Sequence, residues 1–262
     1  MGRFRFAVLL TLCAALTVEA QIPAYEGPGP DAVLHYGAAS LQYGELRLPE
    51  GPGPFPVAVT IHGGCWLDRL GQGSLTPAAA ALTEFGIAAW DVNYRRLGHE
   101  GGGWPGSFLD VGAAADHLRR VAKDHPIDLQ RIVLVGHSSG AHLAVWAAGR
   151  PDLPADSEIR GPDPLPVRAA VAIDGPMDLA AWNASGIDAE VCGEPVVARL
   201  LGGDPETVPS RYRQASPIEM PPLSAAIYLV PAQMVLYTGA HESMMERVER
   251  SAEDVTILPV PD

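Results

Sequence analysis

Residues 132–149 read IVLVGHSSGAHLAVWAAG. An apolar, β-branched run stops at Gly136, a serine follows two positions later, and a small-residue run then has the character of a helix. A strand over 131–135 is apolar enough to be buried on both faces. A helix over 141–148 must turn back over it within Gly136-His137-Ser138-Ser139-Gly140. Small residues flank such a turn because strand and helix nearly touch there. In this setting G-x-S-x-G is the signature of a serine held on a sharp strand-to-helix turn, its hydroxyl exposed above the strand ends. The Ser139 N–H then points at the same spot from the helix N-terminus. The competing reading makes Ser138 an ordinary helix N-cap.

The rest of the chain repeats this alternation. Strands are predicted over 41–48, 57–61, 87–94 and 167–173, with the last two over 232–238 and 255–260. Helical patterns fall over 75–86 and 108–125, the latter with Leu109, Ala113, Leu118 and Val121 near its apolar face. Residues 95–106 form a Gly-rich loop, 150–166 a polar surface loop, and 175–231 an irregular segment with short helical pieces. The expected fold class is α/β, a mainly parallel, doubly wound sheet with helices on both faces. The 262 residues suffice for one such domain, spanning 21–262.

Residues 1–20 stand apart. MGRFR is basic, FAVLLTLCAALTV is an apolar run of 13 residues, and VEA ends in a small residue. That is the pattern of a signal peptide cut after Ala20, and the run is short for a membrane anchor. The expectation is a secreted or periplasmic protein with no membrane association after cleavage. The net charge of −13 argues against nucleic acid and anionic membranes as partners. Of three cysteines, Cys65 and Cys192 would remain; two distant cysteines do not establish a bridge, and free thiols are favoured over a disulfide. No histidine spacing of the zinc type occurs, so no metal and no cofactor are expected.

A second motif, IHGGCW at 61–66, directly follows a predicted strand. Gly63 and Gly64 let the backbone approach a ligand closely, so N–H groups there can face a developing oxyanion. The alternative is a plain Gly-Gly turn. His62 reads as a residue that orders this loop rather than a catalytic one. Trp66, Trp104 and Trp182 are candidates for an acyl pocket or for core packing.

With these motifs in hand, the chain resembles the α/β-hydrolase superfamily, in the esterase/lipase branch that includes hormone-sensitive-lipase-like and arylformamidase-like enzymes. The matching residues are His62-Gly63-Gly64-Cys65-Trp66, Asn93-Tyr94-Arg95, Trp104-Pro105, Asp110, Gly136 through Ala144, and ASPIE at 215–219. The resemblance implies Ser138 as nucleophile, with an oxyanion hole from the N–H groups of Gly64, Cys65 and Ser139. It also implies an acid after the penultimate strand, where Glu242 stands, with Asp174 as a weaker candidate. The base should follow the last strand, yet no histidine follows His241. Three explanations stay open: a C-terminally truncated record, a substitute histidine (His62 nearest, then His241, His137 or His142), or a non-catalytic binding protein. The expected activity is hydrolysis of small carboxylic esters through a Ser138 acyl-enzyme, with N-formyl amide cleavage as the alternative.

Overall fold

The computed structural model describes residues 25–71, 73–232 and 254–258. His241, Glu242, the segment 1–20 and nearly all of the strand expected over 232–238 lie outside them. Among the described residues eight strands form one sheet: β1 (Ala32–His35), β2 (Tyr43–Arg47), β3 (Phe55–Ile61), β4 (Ala88–Val92), β5 (Ile127–His137), β6 (Ala169–Ile173), β7 (Ala226–Val230) and β8 (Val255–Ile257). Their order is β1-β2-β4-β3-β5-β6-β7-β8. β2 is antiparallel to both β1 and β4, and the remaining pairs are parallel.

The helices among the described residues are α1 (Thr76–Glu84), α2 (Gly106–Asp116), α3 (Leu118–Asp124), α4 (Ser139–Gly149), and four short ones, α5 (Leu179–Ser185), α6 (Ile187–Cys192), α7 (Val197–Leu201) and α8 (Pro209–Ala215). All residues of α4 are buried, which fits a helix apolar around its whole circumference. Trp146 on α4 meets Phe108 of α2 edge-to-face at 4.9 Å. Burying side chains such as Leu143, Val145 and Trp146 stabilises the fold by about 2–3 kcal/mol apiece.

Topology creates the crevice. β3 has β4 on one side and β5 on the other, so the connections reverse direction there. Ligand sites in open α/β sheets lie at such a point, beyond the carboxyl ends of the strands. Ile61 is in register with Gly136, so the loops that leave β3 and β5 emerge side by side.

The fold class agrees with the sequence, and four local expectations change. The helix expected over 108–125 is two helices meeting at His117. Leu109 and Ala113 face solvent while Asp110 is buried, because Asp110 takes two bonds from the Arg95 guanidinium (2.7 and 2.8 Å) and one from Gln42 (2.6 Å). An apolar-periodicity count cannot foresee a buried ion pair. The sheet position beside β6 belongs to Ala226–Val230, within the segment expected to be irregular; its five residues are bounded by Pro and Ser and compete with a second apolar run just downstream. Cys65 and Cys192 form a disulfide, with Cα atoms 5.8 Å apart across 127 positions of sequence, rather than standing as free thiols. Chain topology brings them together, and spacing could not show it.

Candidate active site

Ser138 is the single residue between β5 and α4. Its backbone sits at φ 55°, ψ −125°, a combination L-residues avoid at a cost of about 1–3 kcal/mol. Neighbours hold it there. Its N–H donates to the Ile173 carbonyl (2.8 Å), and its own carbonyl accepts from the Ala141 N–H (2.9 Å). The glycines are required by contact distance. A Cβ on Gly136 would lie 2.0 Å from the Gly140 carbonyl oxygen, and one on Gly140 would lie 2.0 Å from the Ile61 carbonyl oxygen. Ser138 is half-buried, and among the described residues its Oγ has no hydrogen-bond partner.

The loop after β3 runs alongside. A Cβ on Gly63 would stand 3.0 Å from the Ser138 Cβ, so the loop reaches the serine through glycine's missing side chain. Gly64, Cys65 and Trp66 follow with φ of 107°, 54° and 55°. Two of these are non-glycine residues in the left-handed region, held by four contacts. Leu67 N–H donates to Gly64 O (2.9 Å), Trp66 N–H to Ser139 Oγ (3.3 Å), Leu97 N–H to Trp66 O (2.8 Å) and Asp68 N–H to Leu97 O (2.9 Å).

Peptide planarity carries these anchors to the amides. In a trans peptide the C=O and N–H point in opposite directions, so fixing one aims the other. His62 Nδ1 lies 2.8 Å from Gly63 O. A carbonyl only accepts, so Nδ1 carries the proton, and this bond orients the Gly64 N–H. The Leu67 bond to Gly64 O orients the Cys65 N–H in the same way. Among the described residues the amides of Gly64, Cys65 and Ser139 have no acceptor. Ser139 opens α4, where amides lack an intrahelical partner.

His62 is not poised to serve Ser138 as a substitute base. Its ring stacks on Tyr94 at 4.7 Å, the Tyr94 hydroxyl donates to His62 O (3.0 Å), and Nδ1 is committed to Gly63. The ring also borders a cavity of about 80 Å³ shared with Glu45, Thr76, Asp91 and Asn93, to which Ser138 does not contribute. His142 is engaged through Nε2 with Ala215 O (2.9 Å) and sits edge-on to Trp66 and Phe108. His137 is exposed at the end of β5. Trp66, 1 % exposed, is core. Asp174 follows β6 at φ 51° and is bound to the next strand: its N–H donates to Val230 O (3.0 Å), and the Ala232 N–H donates to its Oδ1 (3.2 Å). Gly175 packs on the elbow, where a Cβ would lie 2.5 Å from Ser138 O. Among the described residues no cluster of three or more His, Cys, Asp or Glu could hold a metal ion.

The two buried histidines set an acid limit on the fold. Burial holds both His62 and His142 down to a pKa of about 4, and for His62 the Arg96 guanidinium adds to the effect. Unfolded histidine takes its proton near 6.5. The unfolded state therefore binds more protons between the two values, and stability falls as pH drops from about 6.5 to about 4. The expected loss is on the order of 3 kcal/mol per histidine, complete below about pH 4. Urea unfolding of the wild type and His142→Gln at pH 7 and pH 4.5 checks this; the variant should lose distinctly less stability between them.

Sequence reading names Tyr94 and Cys192 but assigns neither a role at the site. The Asn93-Tyr94-Arg95 motif and the even cysteine count after residue 20 were the available signals.

A serine on a strained elbow, beside a loop whose amides have no acceptor among the described residues, at the switch point of this sheet, defines an α/β-hydrolase fold. Residues 46–222 match the BD-FAE family, and the chain belongs to it. Two Mycobacterium tuberculosis proteins, the probable carboxylic ester hydrolase LipM and the esterase LipQ, are each 30 % identical to it over 102 and 93 residues. Those stretches are 39 % and 36 % of this chain, and less than a quarter of each relative (23 % and 22 %). Among solved structures, a truncated carbohydrate esterase from gut microbiota superposes with a TM-score of 0.67 at 23 % identity, covering 89 % of this chain and 90 % of that one. Esterase B from Lactobacillus rhamnosis gives 0.68 at 19 % identity, over 89 % and 77 %. These likenesses concern the fold.

Proposed function

We propose that this protein is a serine hydrolase acting on small carboxylic esters through an acyl-enzyme on Ser138. The observation that carries the reading is a juxtaposition: a serine hydroxyl on a strained elbow beside three amides, all without hydrogen-bond partners among the described residues. Oγ attacks the ester carbonyl, and the negative charge forming on its oxygen is received by the N–H groups of Gly64, Cys65 and Ser139. Each such donor is worth on the order of 10²–10³ in rate. Collapse expels the alcohol, and water then releases the acid. Glu242, outside the described residues, is the proposed acid of the relay. LipM and LipQ support an ester rather than an amide substrate. The Cys65–Cys192 bridge supports export, since such bonds persist in oxidising compartments.

The test is covalent. A fluorophosphonate probe should label the purified protein at Ser138, located by peptide mass mapping, and p-nitrophenyl butyrate should be turned over faster than formylkynurenine. The reverse preference would replace the ester reading with the amide one. No labelling in folded protein would make this a binding protein on a hydrolase scaffold.

A further inference from the structure

Cys65 has two attachments. Its N–H belongs to the proposed oxyanion hole, and its sulfur is bonded to Cys192, the last residue of α6. The bridge does not stand alone. Arg69, on the same loop as Cys65, pairs with Glu194 (3.2 Å) and donates to Cys192 O (3.4 Å), while Arg199 of α7 pairs with Glu194 from the other side. The stretch 192–199 is thus fastened along 65–69. The backbone bonds of the loop fix Gly64 O, and with it the plane of the Cys65 amide, together with Trp66 and Asp68, but none of them holds the Cys65 carbonyl or side chain. Cys65 holds φ 54° without glycine's freedom, and Trp66 beside it does the same. Its side-chain tether is the disulfide.

Resting on the reading of this loop as the oxyanion hole, we propose that the Cys65–Cys192 disulfide is a positioning element for catalysis, holding the Cys65 amide aimed at the adduct on Ser138. Cleaving it removes the tether from a residue that disfavours its own backbone conformation. The amide, left with only the Leu67 bond to Gly64 O to aim it, then samples other orientations, and the transition state loses part of a donor that substrate in its ground state uses less. The consequence is a fall in kcat with little change in KM, by about 10- to 100-fold for partial loss of one donor. Cys192 is buried, with Val191 and Gly193 on either side exposed. A dithiol reductant supplies two electrons and two protons, giving two cysteine thiols and its own cyclic disulfide.

The experiment follows p-nitrophenyl butyrate kinetics of the wild-type protein oxidised, reduced with dithiothreitol, and reoxidised, with circular dichroism and free-thiol titration on the same samples. Cys192→Ser, which leaves the Cys65 side chain and backbone sequence intact, is measured in parallel. The expected result is a kcat reduced about 10- to 100-fold in reduced protein that keeps its secondary structure, unchanged KM, recovery on reoxidation, and the same low kcat in Cys192→Ser whatever the redox state. Affinity for an alkylboronic acid, whose tetrahedral adduct uses the same donors, should fall by a similar factor. Unchanged kcat and boronate affinity in folded, thiol-titrated protein would overturn the proposal. So would a loss of activity that only parallels unfolding, which is what a purely structural staple gives. Absence of Ser138-dependent turnover in oxidised wild type would instead overturn the hydrolase reading beneath it.

Discussion

Ser138→Ala should lower kcat/KM on p-nitrophenyl butyrate by about 10⁴-fold or more while leaving a folded protein. The magnitude follows from roles that act as a unit: without a nucleophile, the remaining donors and binding contacts supply only about 10³–10⁴ over water. The variant keeps the fold because the hydroxyl has no partner among the described residues. A second substitution separates catalysis from strain. Ser138→Gly is equally inactive, but glycine accepts φ 55°, ψ −125° and alanine does not. Relief of about 1–3 kcal/mol, less the 0.5–1 kcal/mol of extra backbone freedom glycine loses on folding, leaves Ser138→Gly about 1 kcal/mol more stable than Ser138→Ala. For a chain this size that is about 2–4 °C in Tm. Equal melting of the two variants would mean the elbow stores no strain; unchanged turnover in Ser138→Ala would remove it from the mechanism.

The other large effect is on stability. Gly140 lies within α4, where alanine is intrinsically the better helix former by about 1 kcal/mol. Gly140→Ala should nonetheless destabilise the protein by about 4 kcal/mol or more, or prevent folding altogether. The added methyl would sit 2.0 Å from Ile61 O and 2.6 Å from His62 O. Both are backbone atoms at the end of β3 and have no rotamer to escape into. Helix α4 would have to move off the sheet, carrying the Ser139 amide away from the Gly64–Cys65 loop. Gly29→Ala is the control, with nothing within 4 Å of its Cβ, and should stay within about 0.5 kcal/mol of wild type. Urea denaturation midpoints compare the two. A Gly140→Ala protein as stable as the control would show that strand and helix do not make this contact.

The alternation of β-branched runs with small-residue helices, read from the sequence alone, determined the α/β class, because buried parallel strands and their crossover helices need different residues at different periods. The elbow was legible for the same reason. A turn this tight admits only small residues beside the serine, and the glycine contacts at 136 and 140 show why. The glycines at 63 and 64 likewise marked a backbone that must approach something closely. Tertiary structure alone decided where these pieces met. Ile61 and Gly136 became neighbours through strand order, which no local pattern encodes. Asp110 turned inward to meet Arg95, and Arg150 was buried on Asp116 at 2.7 Å, because the favourable partner of a charge lies at a distance set by the fold. His62 was directed to Gly63 O and Tyr94 by packing rather than by its place beside the glycines. Cys65 found Cys192 across 127 positions because the fold brings the loop after β3 against the end of helix α6. Sequence specifies what each segment can become; the pairing of distant groups is settled only when the sheet sets their separation in space.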